Sequence, residues 1–356
     1  MTEQDFILKT YSINNEEGQF TWSSPSNIAL VKYWGKKAHQ IPENPSISFT
    51  LSDSKTTTTL YYKKRDVSND GFSFDVIFEG EANEAFKPKI ETFFERIYAY
   101  VPFIKDYHFT IETSNSFPHS SGIASSASGM SALALCIMSL ETDKKDDYFY
   151  RKASFLARLG SGSACRSLEG DLIVWGAHEA IEGSSDLFGV KYPYEVHNAF
   201  KNYNDTILLV DKGEKQVSST VGHNLMHGHP FAKERFKQAN QNLEQLIEVL
   251  KTGDLDAFIG IVESEALTLH AMMMTSMPYF ILMKPNTLEI IQKLWAYRKE
   301  TGSKVCFTLD AGANVHVLYP ESETDKVCEF IKNELVGFCQ NGHYICDRVG
   351  FGAKQL

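Results

Sequence analysis

Phe117-Pro118-His119-Ser120-Ser121-Gly122-Ile123-Ala124-Ser125-Ser126-Ala127-Ser128-Gly129 is a glycine- and serine-rich loop between a strand-like run at 107–113 and an apolar, small-residue run at 130–140. A loop of this composition entering a helix suits a phosphate. Backbone N–H groups and the helix dipole face the anion, and hydroxyls add donors or metal contacts. The glycine-lysine pattern of the P-loop is missing, so a nucleotide would be held by a different solution. A serine-capped turn leading into a core helix is the alternative for the same residues.

Working outward, helical periodicity over 84–100 (Phe86, Ile90, Phe93, Phe94, Ile97) precedes the strand at 107–113. Before it, alternation predicts strands over 46–52, 56–63 and 72–79, the last following the turn signal Asn69-Asp70-Gly71. After the loop come a helix through Leu140, a charged linker, a helix over 148–159, a second glycine-serine turn at 160–167 and a strand over 171–175. The pattern lapses between 192 and 205, which divides the chain into domains 1–203 and 204–356.

The second part reads as a strand over 206–211, helices over 230–251, 255–274 and 286–301, a strand over 304–309, a turn at 310–314, a strand over 315–319 and a helix over 323–336. For the helix at 286–301, Asn286 with Glu289 forms a capping-box pattern, Leu288, Ile291, Leu294 and Trp295 the apolar stripe, and Gly302 the stop. Strand, helix, strand, turn, strand, helix is a split βαβ, ferredoxin-like order. The expected class is α+β, and 356 residues are enough for two cores.

A net charge of −10 argues against a nucleic-acid surface. No segment reaches roughly 18 uncharged apolar residues, so no membrane partner is expected. The acidic start lacks the features of a signal peptide, and six cysteines without a C-x-x-C pair suit a reducing compartment, giving a cytoplasmic expectation. Cys165, in a polar turn, is the candidate reactive thiol.

Four segments carry chemistry. In Ser24 to Lys37 an apolar strand ends in two aromatics and three lysines, which sets Lys32 inside and Lys36 toward an anion. An internal lysine needs a negative charge to meet it, whereas Lys37 reads as a surface residue. The loop at 117–129 is the second. In Gly160-Ser161-Gly162-Ser163-Ala164-Cys165-Arg166-Ser167 glycines admit an anion to the backbone and Arg166 can fork onto a carboxylate or phosphate, although a simple helix–strand turn gives the same letters. Asp310, two residues before Gly312, is a candidate to carry chemistry or only a turn former. His223, His227 and His229 have no metal-site spacing, and Met272 to Met274 read as packing.

Together these segments resemble the GHMP small-molecule kinase superfamily and, within it, the diphosphomevalonate decarboxylase family. The resemblance runs through Asn27-Ile-Ala-Leu-Val-Lys-Tyr-Trp-Gly-Lys36, Ser125-Ser-Ala-Ser-Gly129, Gly160-Ser-Gly-Ser-Ala-Cys-Arg166 and Thr308-Leu-Asp-Ala-Gly312 with Asn314, across residues 20–320. It implies an N-terminal ribosomal-protein-S5-like domain, a C-terminal ferredoxin-like domain, a cleft between them, and ATP with Mg²⁺. The implied reaction converts mevalonate 5-diphosphate and ATP to isopentenyl diphosphate, CO₂, ADP and phosphate, with a homodimer as the assembly.

The resemblance also implies roles. Asp310, Lys32 and Arg166 are catalytic; Tyr33, Lys36, Ser161, Gly162, Ser163 and Arg166 hold substrate. His227 stands where an arginine usually meets the diphosphate. Pro118, Ser121, Gly122, Ala124, Ser125, Ser126 and Ser128 lie where ATP phosphates are handled, with Mg²⁺ reached through phosphates at Ser125 and Ser126. The loop at 37–45 is shorter than usual, and Ala313 replaces a proline. These departures keep open a mevalonate 5-phosphate decarboxylase, a GHMP kinase that only phosphorylates, and a silent nucleotide-binding homologue. Residues 223–230 are the candidate lid.

Overall fold

The computed structural model describes residues 1–11, 13, 15–66, 71–118, 123–212 and 219–356, with backbone alone for Ser219 and Thr220. The turn residues Asn69 and Asp70, the loop residues His119, Ser120, Ser121 and Gly122, and Ser218 lie outside the described residues.

Two long antiparallel strands, β1 (Glu17–Val31) and β2 (Ser46–Lys64), form the spine of the first sheet. The β-branched run from Thr56 to Leu60 alternates between buried and half-buried, as a strand with one covered face requires. Around the spine come β3 (Ser73–Phe78), β4 (Glu81–Ala82), helix α1 (Lys87–Ile97), β5 (Tyr107–Asn115), α2 (Ser125–Glu141), α3 (Asp147–Gly160), β6 (Leu172–Trp175) and β7 (Val190–Lys191). β5 lies against β2 and parallel to β3, while β6 pairs with the first residues of β2. Serines let α2 lie close on the sheet. Ser131 meets Ser24 Oγ at 2.7 Å, Ser139 accepts from Trp22 Nε1 at 2.9 Å, and Ser128 meets Thr56 Oγ1 at 2.6 Å.

The second sheet begins at β8 (Asn204–Leu208). There follow α4 (Ser219–Asn224), α5 (Ala232–Thr252), α6 (Leu255–Met274), α7 (Pro285–Thr301), β9 (Cys306–Thr308), β10 (Val315–Tyr319), α8 (Thr324–Phe330) and β11 (Tyr344–Arg348). The strand order β11-β8-β10-β9, all antiparallel, is the ferredoxin-like arrangement. The edge strand β11 was not foreseen. Its Tyr-Ile-Cys-Asp-Arg sequence is too polar and short to stand out, and it pairs along β8 at the sheet edge. The chain then returns to the first sheet, where β12 (Lys354–Gln355) pairs with β1.

Two local expectations are corrected. Helix α7 starts at Pro285, not beyond Asn286, because Pro is tolerated at the first helical position. Its start is closed by Thr287 Oγ1, which accepts from the Lys284 N–H at 3.1 Å, while Asn286 Nδ2 donates to Phe338 O. Leu288 and Trp295 are exposed, and Thr287, Ile290, Ile291 and Leu294 form the buried stripe. Helix α6 is long and apolar enough, by length and composition, to cross a membrane. Here 61% of its most apolar stretch is buried, and Glu263 and Glu265 within it pair with Arg298 and Arg235.

Candidate active site

Lys32 is the first residue after β1, and its peptide is held on both sides. Its N–H donates to Glu265 Oε2 at 2.8 Å; its carbonyl accepts from Asn44 Nδ2 at 3.0 Å and Arg235 Nη2 at 3.1 Å. Arg235 on α5 and Glu265 on α6 are fully buried and doubly bonded, at 2.8 and 2.5 Å, and Asn242 adds a fourth bond to the carboxylate beside that from the Lys32 N–H. The side chain of Lys32 runs inward until Nζ lies 3.0 Å from Asp310 Oδ1. Burial lowers the lysine's pKa, and Asp310 opposes that shift. Asp310 sits in the turn between β9 and β10, where its carbonyl accepts from the Gly312 N–H at 2.7 Å and from His270 Nε2 at 3.1 Å.

These groups open on a cleft of about 480 Å³ that also holds Tyr33, Lys36, Ser161, Gly162, Ser163 and Arg166. Arg166 ends the tight turn Gly162–Arg166 and is buried, with Nη1 donating to Ser46 Oγ at 2.6 Å and the guanidinium 5.7 Å from the Trp175 ring. Its Nε is buried and finds no acceptor, and among the described residues no carboxylate is ion-paired to it. A buried guanidinium left with open donors points to an anionic ligand. Glycine at 162 is required, since a Cβ there would stand 2.9 Å from Trp175 and 3.1 Å from the Tyr33 hydroxyl.

At the other wall α2 begins. Ala124 takes the left-handed conformation, φ 43°, and as the residue at the helix start it makes no side-chain capping bond. Ala124 and Ser126 line the cleft, and Ser126 Oγ lies 3.4 Å from Ser161 Oγ. Ser125 is half-buried beside them. Ser128 is fully buried against Thr56, one turn behind the opening. Pro118 is exposed and outside the cleft lining; Ser121 and Gly122 lie outside the described residues.

His227 is exposed and does not line the cleft; His223 does. His223 lies within α4 and is turned inward, with Nδ1 accepting the Gly35 N–H, whereas His227 lies beyond the end of that helix at Asn224. Cys165 is not a reactive thiol. It is buried with Sγ 3.1 Å from Gly162 O, and burial pushes its pKa up to about 12. Sequence reasoning missed Trp34 and, on α1, Lys89, Thr92 and Arg96, all on the cleft. The signal was their spacing of three and four residues along the face of α1 away from Ile90, Phe93, Phe94 and Ile97. Burial lowers the pKa of Lys36, and repulsion from Arg96 adds to that shift. Among the described residues no three His, Cys, Asp or Glu side chains converge as a metal site.

Residues 24–186 match the model of the diphosphomevalonate decarboxylase-like N-terminal domain, and residues 206–348 that of the mevalonate 5-diphosphate decarboxylase C-terminal domain. The diphosphomevalonate decarboxylase of Ganoderma lucidum is 30% identical over 333 residues, covering 88% of this chain and 81% of the relative. The solved mevalonate diphosphate decarboxylase from Enterococcus faecalis aligns with a TM-score of 0.80 at 26% identity, over 96% of this chain and 99% of its own. A structure described as MDDEF in complex with MVAPP, AMPPCP and magnesium gives 0.81 at 27%, over the same shares.

Proposed function

The chain belongs to the diphosphomevalonate decarboxylase family, and from that premise we propose that it converts mevalonate 5-diphosphate and ATP to isopentenyl diphosphate, CO₂, ADP and phosphate. Its fold is the two-domain architecture of the GHMP enzymes. The observation that carries the assignment is the Lys32–Asp310 contact of 3.0 Å in the same cleft as the buried, carboxylate-free Arg166.

Each role follows from chemistry. Asp310 orients the substrate's tertiary hydroxyl toward the γ-phosphoryl group and accepts its proton late, because a carboxylate is too weak a base to remove it beforehand. Lys32 favours the ionised form of Asp310 and offsets charge as the phosphoryl group moves. Arg166 grips the substrate carboxylate with two donors and aligns it against the departing phosphate. Loss of CO₂ then leaves the electron pair that forms the alkene as phosphate departs.

Tyr33, Ser161, Gly162 and Ser163 shape the substrate's bed. Lys36, with Lys89 and Arg96, gives one end of the cleft three cations, which favours a diphosphate over a monophosphate. The start of α2, at Ala124, Ser125 and Ser126, fits the ATP phosphates. Magnesium would reach the chain through the Ser125 and Ser126 hydroxyls and supply charge neutralisation at those phosphates, a mode that needs no all-protein cage. We place the division of the chain at 203/204, with the returning residues 349–356 belonging to the first unit, since β12 pairs with β1. The homodimer rests on family resemblance and the cytoplasmic location on composition; sedimentation velocity tests the former.

The test is a side-by-side assay of CO₂, ADP and phosphate release with mevalonate 5-diphosphate and mevalonate 5-phosphate. Equal CO₂ and ADP from the diphosphate is expected. ADP without CO₂ would mean a kinase, and preference for the monophosphate would mean the alternative decarboxylase.

A further inference from the structure

We propose that His223 is a tautomer-locked, neutral hydrogen-bond donor to the phosphate end of the substrate. Helix α4 inserts its ring between two aromatics of the β1 exit, with centroids 4.2 Å from Tyr33 and 4.6 Å from Trp34. Nδ1 accepts the Gly35 N–H at 3.0 Å. A backbone N–H can only donate, so Nδ1 carries no proton and the neutral ring holds its hydrogen on Nε2. The ring is buried yet lines the cleft. Among the described residues nothing accepts from Nε2.

The polar surroundings say what would accept. Burial, Lys36 and Arg166 oppose a second proton and hold the pKa near 3, so the ring stays neutral at physiological pH. Lys36 and Arg166 are cationic donors, and the Tyr33 hydroxyl and the Ser161 and Ser163 hydroxyls can donate as well. These donors, gathered in one cleft, fit an anionic oxygen. Nδ1 is tied to the Gly35 N–H, whose residue precedes Lys36, so the ring stands on the Lys36 side of the cleft, which sets the contact at the phosphate end and not at the carboxylate. With its lone pair turned to the backbone, the ring cannot act as a base toward the substrate.

The identity of the ligand rests on the function proposed above, but the tautomer and the anion contact can be tested without it. In the chain labelled with ¹⁵N-histidine, one ring should show an unprotonated Nδ1 and a protonated Nε2 across pH 6–8. Its Nε2–H signal should move downfield with inorganic pyrophosphate and be missing in His223→Phe. In turnover, His223→Phe should raise KM for mevalonate 5-diphosphate about tenfold, the loss of one hydrogen bond to a charged oxygen. KM for ATP should hold, and His223→Gln, with an amide donor, should recover part of the loss. A protonated Nδ1, a signal indifferent to pyrophosphate, or an unchanged KM in His223→Phe would overturn the proposal. If the wild-type chain releases no CO₂, the functional reading fails, and the pyrophosphate shift still decides this one.

Discussion

Lys32 and Asp310 stand 278 positions apart in the chain and 3.0 Å apart in the fold. The lysine announced its partner: an ammonium inside Ile-Ala-Leu-Val has to meet a carboxylate. The sequence could not say which carboxylate, because the turn that aims Asp310 depends on two strands pairing across the second sheet. Cys165 shows the converse failure. Its glycine and serine neighbours suggested exposure, yet Cys165 is buried in the turn and burial raises its thiol pKa to about 12. Native labelling with a thiol reagent should therefore modify the exposed Cys346 first and leave Cys165 intact. Peptide mapping that found Cys165 modified first would contradict the burial described here.

Among the elements, the long periodic helices were legible and their ends were not. Pro285 could open α7, but the cap at Thr287 depends on where Ala313 O lies, since the same hydroxyl donates there at 2.7 Å. Helices α5 and α6 carry a feature with no sequence signature, the buried Arg235–Glu265 pair that grips the Lys32 peptide from the other unit. Arg235→Met leaves the carboxylate buried and unpaired, a loss of about 3–5 kcal/mol. Arg235→Met with Glu265→Leu should regain much of that stability, because a well-packed apolar pair can replace a buried ion pair. It should not regain kcat, since nothing then holds the Lys32 N–H. Calorimetry and steady-state rates measured together test this, and a double variant of normal activity would reduce the pair to a structural role.

At the scale of the molecule, one apolar cluster joins Ile28, Leu30, Ile47 and Phe49 of the first sheet to Ile207, Leu246 and Phe258 of the second unit. The sequence suggested two cores, but not this shared one, since its members look like ordinary strand and helix residues. Burial pushes down the pKa of two of the buried histidines, His223 to about 3 and His270 to about 4. Unfolded, both would take up protons near pH 6.5, so their contribution to stability is full above that value and fades as pH falls toward 4. Urea unfolding from pH 7 to 4.5 should show this decline, and His270→Gln should flatten it; an unchanged slope would mean that His270 does not drive it. The central claim is that Lys32, Arg166 and Asp310 act on one acid substrate facing the nucleotide. Its most direct test is turnover of Asp310→Asn with saturating mevalonate 5-diphosphate and ATP. The account predicts CO₂ release lowered by at least roughly 10²-fold with ATP still bound, and near-normal CO₂ release from that variant would contradict it.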